Sequence, residues 1–224
     1  MRILVVAAHP DDEVLGLGGT LALLSGEHEI YTLIVTDGSS TQYAGEDVNK
    51  ILDKKRVECK ECNRVLGVKD VIFGDLPDMC LDTVPHVDIN ALIHSQIKSI
   101  EPDWVFTHHS GDLNMDHKKV YESTMVAVRP VGKHRVKRVF AYETPSSTEW
   151  NGYDHVNAFI PNWFFDITQT LPTKIDAINC YRTEKREFPH PRSIEAIKAQ
   201  AGMRGLAAGV AAAEAFSVIK GVGI

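Results

Sequence analysis

The chain has 224 residues, of which 44% are hydrophobic and 24% charged, and its formal net charge is −6 at pH 7. That length is enough for one domain with a sizeable core. The acidic balance argues against nucleic acid as a partner, because duplex binding draws on a basic face, and no apolar run approaches the length that crosses a bilayer.

The first element is the apolar run Ile3 to Ala8, which predicts a strand over 2–8. It is too short for the hydrophobic core of a secretory signal and leads straight into charged residues, so a cytoplasmic location is expected. A short helix is expected over Gly16–Gly26, a strand over 29–36 and a helix over 47–66, with Ile51, Val57 and Val65-Leu66 at its apolar positions. Cys59 and Cys62 share one face of that helix. With no second pair of this kind, they read as reduced structural thiols rather than a zinc or redox motif.

A short strand over 70–73 precedes a loop containing Pro77, Asp78 and Pro85, followed by a helix over 86–100, a strand over 103–108 and a helix over 115–128. Strands at 136–142 and 156–167 and helices at 168–184 and 193–208 complete the prediction, with Pro189, Pro191 and Gly205 interrupting the last region. No repeat or linker divides the chain, so a single domain over 1–224 is expected. Alternating strands and helices predict an α/β fold, its parallel sheet covered on both faces. In such sheets ligands bind beyond the strand carboxyl ends where strand order reverses, so the polar residues that follow the strands should converge there.

His9, Asp11, Asp12 and Glu13 follow the first strand, ahead of Gly16, Gly18 and Gly19. A dinucleotide fold places a bare glycine-rich turn here to receive a pyrophosphate. Three carboxylates repel phosphate but suit a divalent cation. Helix capping accounts for one of them, not for three beside an imidazole. Histidine and aspartate are zinc ligands, and a catalytic zinc takes three protein ligands and a water, which leaves one ligand to find. After the strand at 103–108 come His108, His109, Asp112, Asn114, Asp116 and His117. His117, at a helix start, fits the missing ligand, whereas His108 and His109 read better as polar contacts at the strand end.

Ala8-His9-Pro10-Asp11-Asp12-Glu13 with Gly18-Gly19, together with Asp112-Leu113-Asn114-Met115-Asp116-His117-Lys118-Lys119-Val120, resembles the LmbE-like, or PIG-L, deacetylases. Glu58 with Cys62 to Val68, Glu143 to Trp150, Pro161 to Ile167 and Ala213 to Phe216 are similar to further family segments, so the resemblance spans nearly the whole chain. It implies a Rossmann-like three-layer α/β fold with a mostly parallel central sheet, the core over about 1–142 and the elements over about 143–224 completing the site. It further implies zinc-dependent hydrolysis of the N-acetyl group of an N-acetylglucosamine-type sugar or conjugate, and a homo-oligomer, trimer or hexamer. By position, His9, Asp12 and His117 would hold one zinc per chain, with Asp11 as general base.

Several relatives carry a histidine, read as general acid or oxyanion partner, where this chain has Asn114. An amide hydrogen-bonds an oxyanion but delivers no proton at neutral pH. The acid is then Asp11 returning its proton, or His109, or Asp112, with Asn114 an orienting group. Asp116 is either an outer acceptor orienting a ligand imidazole or a carboxylate favoured by the helix dipole. Asp37 either bonds near the metal or caps its turn. By resemblance, substrate contacts fall to Asp78, to Lys55 or Arg56, and to Arg192 within His190-Pro191-Arg192-Ser193. Glu143 and Glu149 flank a Ser/Thr-rich loop suited to line the pocket, and Trp150 and Trp163 are either sugar-stacking or core aromatics. Two alternatives stand beside this reading. One is a zinc amidohydrolase acting on a non-sugar N-acyl substrate. The other is a non-catalytic sugar- or nucleotide-binding module, against which the retention of Asp11 with all three proposed ligands argues.

Overall fold

The computed structural model describes residues 1–39, 48–152 and 154–222. Strands β1 (Arg2–Ala7), β2 (Glu29–Thr36), β3 (Asp70–Leu76), β4 (Trp104–His108), β5 (Arg138–Tyr142), β6 (Trp163–Asp166) and β7 (Ala213–Gly221) form one sheet in the order β3-β2-β1-β4-β5-β7-β6. The first five run parallel, and β7 lies antiparallel between β5 and β6. The helices are α1 (Asp12–Leu24), α2 (Val48–Val65), α3 (His86–Ile100), α4 (Met115–Ala127), α5 (Leu171–Ile178) and α6 (Ile194–Ala208).

A central parallel strand is buried on both faces and therefore reads as a continuous apolar run. In β1, Ile3, Val5 and Ala7 face one core with Leu21, Cys59, Cys62, Ile178 and Ile197, drawn from α1, α2, α5 and α6. Leu4 and Val6, with Ala8 beyond them, face the other core, with Ile89, Ile93, Ile97 and Val120 of α3 and α4. Both cysteines are buried free thiols whose pKa burial pushes up, which suits core packing. Among the described residues no helix is long and apolar enough to cross a membrane.

The chain leaves β1 toward β2 and β3, then returns to β4 on the other side of β1, so strand order reverses between β1 and β4. The segments His9–Glu13 and His108–His117 emerge at that point.

Several boundaries differ from the sequence expectation. Helix α1 starts at Asp12, not Gly16, with Asp12 and Glu13 in its first turn, where carboxylates complement the dipole. Its glycines serve close packing: a Cβ on Gly16 would overlap the Tyr142 ring, and one on Gly19 would sit 2.8 Å from Ile167 Cδ1. The strand expected over 156–167 shortens to β6, and the helix expected over 168–184 shortens to α5. The start of the helix expected at 47 lies outside the described residues. Strand β7 has no counterpart in the sequence expectation. Its buried Glu214 accepts from the backbone N–H groups of Gly19 at 3.0 Å and Thr20 at 2.7 Å and pairs with buried Lys174, tying β7 and α5 to α1.

Candidate metal and active site

The turn after β1 carries His9 and Asp11 to the sheet end, and Asp12 opens α1. Asp11 has φ +110° and makes no side-chain cap bond. A positive φ at a non-glycine residue costs of order 1–3 kcal/mol and persists where surrounding contacts enforce it. On the other side of the switch point, Asp112 Oδ1 accepts from the Asn114 N–H at 2.8 Å, and Asn114 Oδ1 accepts from the Asp116 N–H at 2.8 Å. These side-chain-to-backbone bonds shape the start of α4 and deliver Asp116 and His117 on its first turn.

His9 Nδ1, His117 Nε2 and an Asp12 oxygen then converge. His9 Nδ1 lies 3.2 Å from both His117 Nε2 and Asp12 Oδ2, and His117 Nε2 lies 3.3 Å from Asp12 Oδ2. A tetrahedral zinc with bonds of about 2.0–2.1 Å spaces its ligands about 3.3 Å apart, so this triangle fits such an ion. The remote nitrogens are engaged by carboxylates. His9 Nε2 meets Asp78 at 3.1 Å and Asp116 at 3.2 Å, and His117 Nδ1 meets Asp112 at 3.1 Å. Protons on those outer nitrogens leave the inner lone pairs directed at the triangle. Asp12 Oδ1 is buried with no hydrogen-bond partner among the described residues, an expensive state for a carboxylate oxygen that a cation relieves. His9, Asp78 and Asp116 also offer three ligand atoms within 4.8 Å of one another, but that set uses the nitrogen that the outer carboxylates orient.

Electrostatics follow from this crowding. Burial disfavours charge on His117, but the Asp12 and Asp112 carboxylates together outweigh it and raise its pKa to about 9. Burial opposes charge on His9 as well, but Asp12, Asp116 and Asp78 together raise its pKa. Burial also works against charge on Asp12, yet the surrounding imidazoles hold its pKa low. Burial pushes Asp11 up to about 8, with Arg192 opposing and Asp12 reinforcing the rise.

His108 is fully buried and stacks on the His117 ring at 3.9 Å and 13°. Its Nε2 lies 2.9 Å from the Ala8 N–H, from which it accepts, and Nδ1 lies 3.2 Å from Thr144 Oγ1. Burial, reinforced by His117, lowers its pKa to about 4, so the ring is neutral and serves the strand-end contact.

A cavity of about 760 Å³ opens over Asp11 and is lined by Lys55, Asp78, Asn114, Trp150 and Arg192, among others. Arg192 donates to Asp11 Oδ2 at 2.7 Å and, through Nε, to Ser146 Oγ at 2.7 Å. Lys55 pairs with Glu184 at 3.2 Å. Arg56, offered by the sequence beside Lys55, instead pairs with Asp75 and lies 4.9 Å from the Phe73 ring centroid, away from the cavity. His109 Nε2 donates to the Asn157 carbonyl at 2.9 Å and its ring meets Phe159 edge-on; it does not line the cavity. Asp112 accepts from Thr148 Oγ1 at 2.6 Å and from Ser147. Burial opposes its ionisation, but His117 and these hydroxyls hold its pKa far below the carboxylate range. Trp150, 67% exposed, stands at the cavity wall, whereas Trp163 packs under Arg138. Asp37 accepts from the Ser39 N–H in its own turn. Tyr181, Glu184 and the buried role of Glu13 had no legible signal, because the first two fall in a stretch read as helix.

A family model described as PIG-L, GlcNAc-PI de-N-acetylase, matches residues 4–128. The uncharacterized deacetylase YaiS of Escherichia coli (strain K12) is 34% identical over 155 residues, which cover 65% of this chain and 75% of that protein. The diacetylchitobiose deacetylase of Thermococcus kodakarensis is 31% identical over 198 residues, covering 84% and 70%. Among solved structures, the conserved protein TT1542 from Thermus thermophilus superposes with a TM-score of 0.77 at 27% identity over 99% of this chain and 96% of its own. GalB, the 4-carboxy-2-hydroxymuconate hydratase from Pseudomonas putida KT2440, reaches 0.81 at 21% identity over 100% and 98%, a likeness of fold alone.

Proposed function

Because the chain belongs to the PIG-L, GlcNAc-PI de-N-acetylase family, we propose that it is a zinc-dependent N-deacetylase that releases acetate and a free amine from an N-acetylglucosamine-type sugar or conjugate. The observation that carries this reading is the triangle of His9, Asp12 and His117 donor atoms beside Asp11 at the base of an open cavity. The diacetylchitobiose deacetylase among the relatives supports an amino-sugar substrate.

His9 Nδ1, His117 Nε2 and Asp12 would hold the ion. A zinc ion there supplies Lewis-acid activation of water and of the amide carbonyl. Asp116 with Asp78 fixes the tautomer of His9, and Asp112 fixes that of His117. Asp11 takes a proton from the attacking water. A carboxyl poised near neutral pH both accepts and returns a proton, so protonated Asp11 delivers it to the departing amine nitrogen as the C–N bond breaks. Asp112, clamped in its ionised form, and His109, turned to the Asn157 carbonyl, are the weaker acids. Asn114 shapes the start of α4 and presents its amide on the cavity wall, near Met79 Sδ at 3.7 Å. Lys55, Asp78 and Arg192 line the space left for the sugar.

The test is acetate release from a panel of N-acetylglucosamine conjugates, diacetylchitobiose among them, with non-sugar N-acetyl amides as controls. Release from a sugar conjugate that chelation abolishes and zinc restores is expected. No release from the panel, or release indifferent to exhaustive metal removal, contradicts the proposal.

A further inference from the structure

Glu13 is fully buried beneath Asp11 and has no part in the roles assigned above. Its Oε2 accepts the Asp11 backbone N–H at 3.1 Å, while Oε1 accepts from Asn63 Nδ2 at 2.9 Å and from the Tyr181 hydroxyl. Three donors from three parts of the chain thus meet on one carboxylate: the turn before α1, the interior of α2, and the segment after α5. Asn63 is itself fixed from the other side, since its Oδ1 accepts from Thr32 Oγ1 at 3.0 Å. Asp11 sits at φ +110° without a side-chain cap bond, so its unusual backbone needs an outside hold, and the Glu13 bond to its N–H supplies one. Tyr181 heads the stretch that carries Glu184 and Arg192, and Arg192 bonds the Asp11 side chain at 2.7 Å. Glu13 therefore grips the backbone of Asp11 directly and anchors the segment that holds its carboxylate.

We propose that Glu13 is a positioning residue that aims the Asp11 carboxylate, acting through the Asp11 backbone N–H and through Tyr181. The proposal rests on the base role of Asp11 given above. In Glu13→Gln, an NH2 group replaces one of the two acceptor oxygens, so the three donors can no longer all be accepted. Tyr181→Phe removes one donor and leaves the carboxylate.

The experiment pairs two readouts on the zinc-loaded variants: hydrogen exchange of the Asp11 amide by NMR, and steady-state kinetics of acetate release. Faster exchange of that amide is expected in Glu13→Gln, with kcat reduced about 10- to 100-fold, the scale on which supports behind active groups act, while KM and zinc content hold. Tyr181→Phe should show the same pattern more weakly, and it carries the test if Glu13→Gln does not fold. Unchanged kcat in these variants, or a loss of activity that merely follows loss of zinc or rises in KM, overturns the proposal. If wild-type protein releases no acetate at all, the deacetylase reading fails instead. Amide exchange then still decides the hold on Asp11, and exchange as slow as in wild type overturns it.

Discussion

Arg192 donates to Asp11 at 2.7 Å across a separation of 181 residues, so the carboxylate at the base of the cavity is charge-matched by the C-terminal part of the chain. Arg192 is also the largest influence holding down the pKa of Asp11, which burial drives up to about 8. Removing the guanidinium raises that pKa further. The acidic limb of the kcat/KM profile, which reports deprotonation of the base, should therefore move to higher pH in Arg192→Ala, with activity at pH 7 reduced. A pH–rate profile of the variant checks this, and a limb that stays in place or moves to lower pH contradicts it.

Asp11→Asn keeps the size of the side chain and removes its capacity to take a proton. Activity should fall by about 100- to 10,000-fold, the usual contribution of general acid–base catalysis, while zinc content stays at about one per chain. Near-normal turnover in this variant would mean that the base lies elsewhere.

Asp112 bonds His117 Nδ1 at 3.1 Å and is itself held by Ser147 and Thr148. Asp112→Asn should weaken zinc binding about 10- to 100-fold, as losses behind a metal ligand do. Competition against a chelator of known affinity measures this directly, and unchanged affinity would remove Asp112 from the metal's support.

Proton release should accompany metal binding. In the metal-free protein His117 titrates at about 9 instead of the ordinary 6.5, and His9 is also raised. A raised histidine contributes stability below its unfolded pKa, and that contribution is lost as pH rises through the folded value. The metal-free protein should therefore lose stability between about pH 6.5 and 9, and zinc affinity should rise over the same window as fewer protons must leave. Calorimetric titrations in buffers of different ionisation enthalpy count the protons. Release of none at pH 7 would contradict the placement of the ligands.

Lys174 and Glu214 form a buried pair, 4% and 5% exposed. Lys174→Met leaves Glu214 as a buried charge held only by the Gly19 and Thr20 amides and should cost about 3–5 kcal/mol. Urea unfolding measures it, and a loss below about 1 kcal/mol would show that the pair does not hold β7 and α5 to α1.

The convergence of His9, Asp12 and His117 was legible because they sit in short polar runs directly after long apolar strands, and parallel topology brings such runs together. Strand order and ligand chemistry pointed to His9, one aspartate of the Asp11-Asp12 pair and His117; the choice of Asp12 came from the family resemblance. Among the supports, Asp116 was legible as one of two alternatives, an outer acceptor for an imidazole, whereas the roles of Asp78 and Asp112 behind the histidines were not. Asp112 looks the same in sequence whether it delivers a proton or clamps His117, and only its contacts with Ser147 and Thr148 distinguish the two. Lys55 and Arg56 are neighbours on one helix, where a rotation of about 100° per residue separates a cavity-lining side chain from one over Phe73. Strand β7 escaped because its inward Glu214 breaks the apolar alternation, a choice explained by Lys174 from far away in sequence. The stretch around Tyr181 and Glu184 carries helix-like periodicity, yet its value to the site lies in side chains that reach Glu13, Lys55 and Arg192.

The most direct measurement of the central claim is anomalous diffraction at the zinc edge from crystals of the metal-loaded protein. One dominant peak is expected, about 2.0–2.2 Å from His9 Nδ1, His117 Nε2 and an Asp12 oxygen. A dominant peak elsewhere, including one held by His9 Nε2 with Asp78 and Asp116, or no peak under saturating zinc, would contradict it.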